Sequence, residues 1–246
     1  KLSGDDGHTG FVNSAVFSPD AGGRWVLTGS DDGTAKIWDA ATGAVLATLA
    51  GHEDRVRHAT FSNDGKRVLT SSSDRTARIW NLSEAAQPDG SMKVQAAIAQ
   101  VFQGHEWAVL SAEFSDDGLS VITASEDNTA RIWNSQTGEQ KSVLAGHTAR
   151  VTSVAFAPGD QPDRAVTASQ DGAVKLWDTR TTKEILTLDG HTREVTSVTF
   201  SPDGKYVLTA SEDGRAILWL TVPWQTDPPK EELTGIVRFP VTVSAE

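Results

Sequence analysis

The 246-residue chain contains no cysteine. Disulfides, thiolate metal sites and cysteine nucleophiles are excluded together. That absence suits a reducing compartment, and a cytoplasmic location is the expectation, with an extracytoplasmic domain of a larger protein as the alternative. No apolar run approaches the roughly 18 residues of a bilayer-spanning helix, so no membrane segment is expected here. The opening residues, KLSGDDGHTG, hold no signal-peptide core. Positive charge is scarce, with 22 Lys and Arg against 33 Asp and Glu, a net of −11. An acidic surface repels phosphate backbones and anionic lipid, which argues against nucleic acid as a partner. Neither a G-x-x-x-x-G-K nor a G-x-G-x-x-G phosphate loop is present, nor a kinase catalytic motif, and no cofactor is expected.

What is present is periodic. Gly-His pairs place histidines at His8, His52, His105, His147 and His191, in steps of 44, 53, 42 and 44 residues. Each is followed 28 or 30 residues later by a tryptophan: Trp38, Trp80, Trp133, Trp177 and Trp219. A repeat of this length framed by GH and WD marks a four-stranded propeller blade. Each unit opens on V-x-x-V/A-x-F, for example Val56, Ala59 and Phe61. The three-residue step breaks strict alternation and predicts a bulge in the first strand. Turns such as Ser201-Pro202-Asp203-Gly204 and Glu212-Asp213-Gly214 separate the following strands. Both faces of such a unit are apolar, so units must stack to bury them.

With GH, S-P-D-G, T-x-S-x-D and I-W-D recurring in register, residues 7 to 220 resemble the WD-repeat β-propeller family. The regular TASEDGRAILW style resembles bacterial arrays that accompany a signalling kinase or receptor-like module on one chain. The resemblance implies an all-β propeller of four-stranded antiparallel blades. It would occupy residues 1–220, with units starting near 7, 51, 104, 146 and 190. Five units and a fourth-strand remnant at Leu2 suggest part of a seven-bladed ring. A closed five-bladed ring, sealed by Ile236 to Val243, is the alternative. An open ring would expose edges and self-associate. The Pro-rich tail, 221–246, is a linker, a closing strand or an edge cover. The interval from Trp80 to His105 is 25 residues against 14 elsewhere. Its extra 11 residues read as a loop between strands three and four, either a tolerated surface insertion or a docking loop.

A hydroxyl, a histidine and an acid are also the parts of a hydrolytic triad. The hydroxyl precedes the acid by four residues and the acid precedes the Trp by six in every unit. The sets are Thr28, Asp32 and Trp38; Thr70, Asp74 and Trp80; Thr123, Asp127 and Trp133; Thr167, Asp171 and Trp177; Thr209, Asp213 and Trp219. With the five histidines these match the family's structural tetrad. The resemblance implies that the indole donates to the hydroxyl, the hydroxyl to the imidazole and the imidazole to the carboxylate. Five copies on separate blades form no converging active site, and a catalytic role is not expected. His58, the one histidine outside the GH pairs, stands where other units have Ser, and is expected to be packed or solvated. It has no second ligand at metal spacing.

In this family partners commonly sit on the top face, around the GH loop and the tetrad turn. Carried onto this chain, the positions are Phe11, Asn13 and Asp31; Arg55, Arg57 and Ser73; Ala108, Leu110 and Glu126; Arg150, Thr152 and Gln170; Glu194, Thr196 and Glu212. Trp107 and Phe11 are aromatics that the repeat does not require, and Arg193 adds a further cation. Exposed aromatics beside Arg resemble interface anchors. The expected function is a non-catalytic scaffold binding a protein or peptide there, with an acidic or phosphorylated peptide among the candidates. The alternative is a ligand-sensing or hydrolytic propeller acting at its central channel. Against that, the inner strands offer mostly Ser, Thr, Val and Ala, with His58 and Glu113 as exceptions.

Overall fold

The computed structural model describes residues 7–86, 92–159, 163–220 and 239–241. Among these residues, twenty strands make five antiparallel sheets of four, one per sequence unit. The first sheet holds β1 (Val12–Phe17), β2 (Trp25–Ser30), β3 (Thr34–Asp39) and β4 (Val45–Ala50). The second holds β5 (Val56–Phe61), β6 (Arg67–Ser72), β7 (Thr76–Ala86) and β8 (Met92–Gln103). The third is β9 (Val109–Phe114), β10 (Ser120–Ser125), β11 (Thr129–Asn134) and β12 (Gln140–Ala145). The fourth is β13 (Val151–Phe156), β14 (Arg164–Ser169), β15 (Val174–Asp178) and β16 (Lys183–Leu188). The fifth is β17 (Val195–Phe200), β18 (Tyr206–Ser211), β19 (Ala216–Leu220) and β20 (Phe239–Val241).

Local chemistry sets these boundaries. In the β17–β18 turn, Ser201 Oγ donates to Asp203 at 2.6 Å and accepts the Tyr206 N–H at 3.0 Å. Gly204 closes the reversal at φ 68°, a backbone region that favours glycine. The register breaks in every first strand between the opening Val and the residue two positions on: Val12/Ser14, Val56/His58, Val109/Ser111, Val151/Ser153 and Val195/Ser197. The bulge read from the V-x-x-V/A-x-F step is therefore present five times.

The core lies between sheets. Four hydrophobic clusters join successive sheets, and each combines the second and third strands of one sheet with the first strand of the next. In one of them Leu27, Ala35 and Ile37 meet Ala59 and Phe61. The stack is not closed. Val12 and Phe17 on β1 are 53% and 65% exposed, whereas Val56, Val109, Val151 and Val195 are fully buried. Among the described residues the opening strand of the first sheet is thus left uncovered. The described part of the Pro-rich tail, β20, pairs with β19 as the outer strand of the fifth sheet. Leu2, Ile236 and Val243 lie outside the described residues.

The insertion differs from the expected loop. Pairing of β7 with β8 runs on from Thr76↔Gln103 through Asn81↔Ala97 to Ala86↔Met92. The extra residues thereby lengthen two strands into one long hairpin. Its Val94 is buried with Trp25 and Leu49, and Glu84 accepts from Arg24 at 2.7 Å, so the hairpin leans on the first sheet.

Candidate functional site

The five hydroxyl–histidine–acid sets share one geometry. Trp Nε1–H donates to Thr Oγ1 at 2.8–2.9 Å in every sheet. Thr Oγ1 lies 2.7 Å from His Nε2 each time. His Nδ1 lies 2.7–3.0 Å from the Asp carboxylate. An ionised carboxylate only accepts, so Nδ1 carries the hydrogen and Nε2 accepts the Thr O–H. The same Asp oxygen accepts the backbone N–H following the histidine, from Thr9, Glu53, Glu106, Thr148 or Thr192. Burial works to raise Asp32, but hydrogen bonds from Thr34, His8 and the Thr9 N–H outweigh it and hold the carboxyl at about 2. Asp74, Asp127, Asp171 and Asp213 are also lowered, again because hydrogen bonds overcome burial. Burial pushes His105 and His147 down despite their Asp partners, which favours the neutral ring. The Thr hydroxyls themselves are buried.

Each set also positions a second group of residues. The N–H of the residue before the Asp donates to the carbonyl of the residue before the opening Val: Asp31 to Phe11, Ser73 to Arg55, Glu126 to Ala108, Gln170 to Arg150 and Glu212 to Glu194. Side chains from the GH loop and the tetrad turn are thereby held side by side at one end of each sheet. At that end a cavity of about 310 Å³ gathers residues of all five sheets: Asn13, Arg57, Leu110, Arg150, Thr152, Glu194 and Thr196. Five of the seven, Asn13, Arg57, Leu110, Thr152 and Thr196, directly follow the buried or opening Val of their strand and so face the other side from it. A second cavity, of about 540 Å³, lies between the second and third sheets. Arg55, Arg57 and Arg75 line it with Trp107, and Asp54, Glu106 and Glu126 add negative charge.

The sequence profile described as "WD domain, G-beta repeat" matches residues 2–39, 43–81, 97–134, 138–178 and 182–219. The chain belongs to the WD40 repeat family. It is 32% identical over 156 residues to the guanine nucleotide-binding protein subunit beta of Zea mays, a match covering 61% of this chain and 40% of that protein. It is 36% identical over 154 residues to ribosome assembly protein 4 of Chaetomium thermophilum, covering 63% and 29% respectively. Over 156 residues it is 30% identical to the serine-threonine kinase receptor-associated protein of Gallus gallus, covering 63% and 40%. The chain thus spans less than half the length of these relatives. All three are eukaryotic, so the resemblance to bacterial arrays is not supported.

In WD40 terms, the five sheets are blades, and the end bearing the tetrad turns is the top face. The positions carried over by resemblance do not all come together. Asn13, Arg57, Leu110, Arg150, Thr152, Glu194 and Thr196 share the central mouth. Arg55, Ser73, Trp107, Ala108 and Glu126 share the groove between blades 2 and 3. Arg57 belongs to both. Asp31 instead accepts from Asn13 at 2.7 Å and lies 3.7 Å from Arg55. Arg150 donates both of its bonds to Glu194, at 2.9 and 3.0 Å. Arg193 turns to the Glu212 carbonyl at 3.4 Å. Phe11 is exposed on blade 1, away from both cavities.

One residue escaped the sequence reading. Arg75 follows the tetrad Asp74 at φ 72°, where other blades use Gly33, Asn128, Gly172 and Gly214. A signal existed, since Asp-Arg replaces Asp-Gly at a turn that demands positive φ. Glu113, read as a channel group, accepts the Phe156 N–H of blade 4 at 3.2 Å. Burial raises its carboxyl to about 8, against the lowering pull of that N–H. His58 is pushed down by burial and makes a backbone hydrogen bond with Ala112, so it packs between blades 2 and 3. Among the described residues no cluster of three or more His, Cys, Asp or Glu could hold a metal ion. No helix there is long and apolar enough to cross a membrane.

Proposed function

We propose that this chain is a non-catalytic interaction platform that binds a protein or peptide on its top face. The carrying observation is the groove between blades 2 and 3. There Trp107, 62% exposed, stands with three arginines contributed by blade 2. Aromatic and Arg side chains in a desolvatable depression are the residues that dominate interface energetics. Arg57 connects this groove to the central mouth, so one extended segment could engage both. An acidic or phosphorylated side chain would pair with the guanidinium groups, and Glu106 and Glu126 would turn away a longer acidic run. The names of the relatives fit this reading: one is a subunit, one an assembly protein and one a receptor-associated protein.

We assign the tetrads to the frame. A buried Thr hydroxyl already bonded to Trp and His offers no nucleophile to a substrate, and the Asp spends its lone pairs on backbone N–H groups. The five blades read as an arc of a larger ring. The seven-bladed count would place two more blades against the open faces of blades 1 and 5. A cytoplasmic setting fits a cysteine-free chain.

The test is affinity capture with the wild-type chain, Trp107→Ala and Arg57→Glu, read by mass spectrometry. The platform reading expects the same protein to be lost from both variants while their unfolding midpoints stay at the wild-type value. Equal capture by all three chains would contradict it. A small molecule that raises the melting temperature through contacts at the central mouth would favour the ligand-sensing alternative.

A further inference from the structure

The outermost strand of blade 2 is paired on one side only. Among the described residues β8 pairs with β7 and with no other strand. Its two faces are covered, by Trp25 and Leu49 of blade 1 around Val94 and by Trp133 of blade 3 against Phe102. Blades stack face to face, so further blades would leave the outer edge of β8 uncovered. The fourth strands β4, β12 and β16 have six residues each, whereas β8 has twelve, with Lys93 as its one charged residue. A long, nearly uncharged edge invites pairing with another strand. Ile98 on this strand is 46% exposed.

Residues Val94 to Val101 read VQAAIAQV, the same in both directions except at the central pair. In a straight strand that symmetry would have no use, because Ala97 and Ile98 would lie on opposite faces of the sheet. β8 is not straight. Trp80 pairs with Ile98 and Ile79 with Gln100, so Ala99 bulges out of the count. About Asn81 and its partner Ala97 the register is then symmetric. Leu82↔Ala96 balances Trp80↔Ile98, Ser83↔Gln95 balances Ile79↔Gln100, and Glu84↔Val94 balances Arg78↔Val101. Blades 1, 3 and 4 share the bulge, but their fourth strands begin just before it, at Val45, Gln140 and Lys183, and leave no room for such symmetry.

The direction of the backbone groups agrees. The Leu82 N–H donates to the Lys66 carbonyl at 2.8 Å, on the side of β6. Backbone groups alternate sides along a strand, so Asn81 turns to β8 and Ala97 turns back to Asn81. Val94, Ala96, Ile98 and Val101 therefore aim their N–H and C=O groups at the free edge. We infer that two copies of this chain pair edge to edge through β8, antiparallel, about a two-fold axis at Ala97. Val94 then lies opposite Val101 of the second copy and Ala96 opposite Ile98, each pair exchanging backbone hydrogen bonds. Gln95 lies opposite Gln100, and Ala97 opposite Ala97, where small side chains suit the closer, non-hydrogen-bonded position. The occupant is a second copy because the strand is complementary to itself in sequence, face and bonding direction. The contact is isologous and closes at a dimer. The top-face reading plays no part in it.

Sedimentation velocity over a concentration series tests it. Wild type should pass from monomer to dimer and stop there. Ala96→Pro removes an N–H aimed at the edge and spares the bonds to β7, so its circular dichroism should match wild type. The two-fold loses two hydrogen bonds in that variant, which should weaken dimerisation about tenfold or more. Ala97→Lys and Ala97→Glu alter an exposed position that faces itself. Each should stay monomeric, and their equimolar mixture should dimerise, because like charges repel and opposite charges attract across the axis. The chain has no cysteine, so Ala97→Cys places one thiol in each copy, within disulfide reach of the other. Mild oxidation with diamide should link this variant into a dimer on a non-reducing gel, and Gln95→Cys, which lies opposite Gln100, should stay unlinked. Trp107→Ala should dimerise like wild type. A wild-type chain that stays monomeric throughout would overturn the inference. So would a charge mixture no more dimeric than its components, or equal cross-linking of Ala97→Cys and Gln95→Cys.

Discussion

Arg75 and Trp107 line one groove from neighbouring blades, and Arg75 reaches it from a left-handed backbone at φ 72°. The three glycines at the matching turn position show what the backbone prefers there. A long side chain at positive φ costs about 1 kcal/mol, and strain of this kind tends to gather at functional surfaces. Arg75→Gly should therefore stabilise the chain by about 0.5–1 kcal/mol in a denaturant titration. It should also weaken retention of the captured partner. A variant that loses stability would show that Arg75 contributes packing which the exposed turn does not reveal.

Asp127→Ala removes the acceptor of His105 Nδ1–H, the Glu106 N–H and Thr129 at once. Stranding these groups is expected to cost roughly 2–3 kcal/mol. Thermal unfolding checks this, and an unchanged midpoint would sink the frame assignment. The acids also set an acid limit. Asp32 titrates at about 2 when folded, below its ordinary value, so its contribution is complete above that ordinary value and is lost as pH falls toward 2. Native fluorescence of the buried tryptophans should persist through mildly acidic buffers and collapse near that limit.

Glu113 runs the opposite way. Its folded carboxyl titrates at about 8, above the unfolded 4.5, so stability is full below 4.5 and declines as pH rises through 8. Glu113→Gln keeps an oxygen for the Phe156 N–H and removes the charge. Some solvent contact remains, so the gain at pH 7 has an upper bound of roughly 3 kcal/mol, shrinking to nothing near pH 4. Urea titrations at the two pH values check it, and equal differences at both would contradict a protonated Glu113.

The hairpin of β7 and β8 supplies a fourth prediction. Val94 is buried among Trp25 and Leu49 of blade 1, while Arg24 and Glu84 form an exposed pair. Val94→Ala should cost about 1–2 kcal/mol, and Glu84→Gln less than about 1 kcal/mol. Matching effects in equilibrium unfolding would mean that the hairpin does not pack on blade 1.

The sequence is legible where chemistry repeats. Register, bulges and the five Thr, His, Asp and Trp sets follow from spacing, because a buried donor must find its acceptor in every blade. The groove is half legible: Trp107 stands out as an aromatic outside the pattern, whereas Arg75 hides at a position where glycine is the rule. The long hairpin was not legible, since SEAAQPDGSMKVQAAIAQ carries the Pro, Asp and Gly of a turn and little β-branched apolar character. Its strands form because they prolong β7 and β8 and find cover on blade 1. The exposure of Leu208 and Phe17 is likewise invisible in the sequence, because their places in the repeat match those of buried counterparts.

Amide hydrogen exchange with and without the captured partner tests the platform most directly. Binding on the top face should slow exchange in residues 53–57, 73–76 and 106–110, with Trp107→Ala abolishing that protection. Protection confined to the opposite-end turns, such as 62–66 and 115–119, with none in the Trp107 groove, would contradict it.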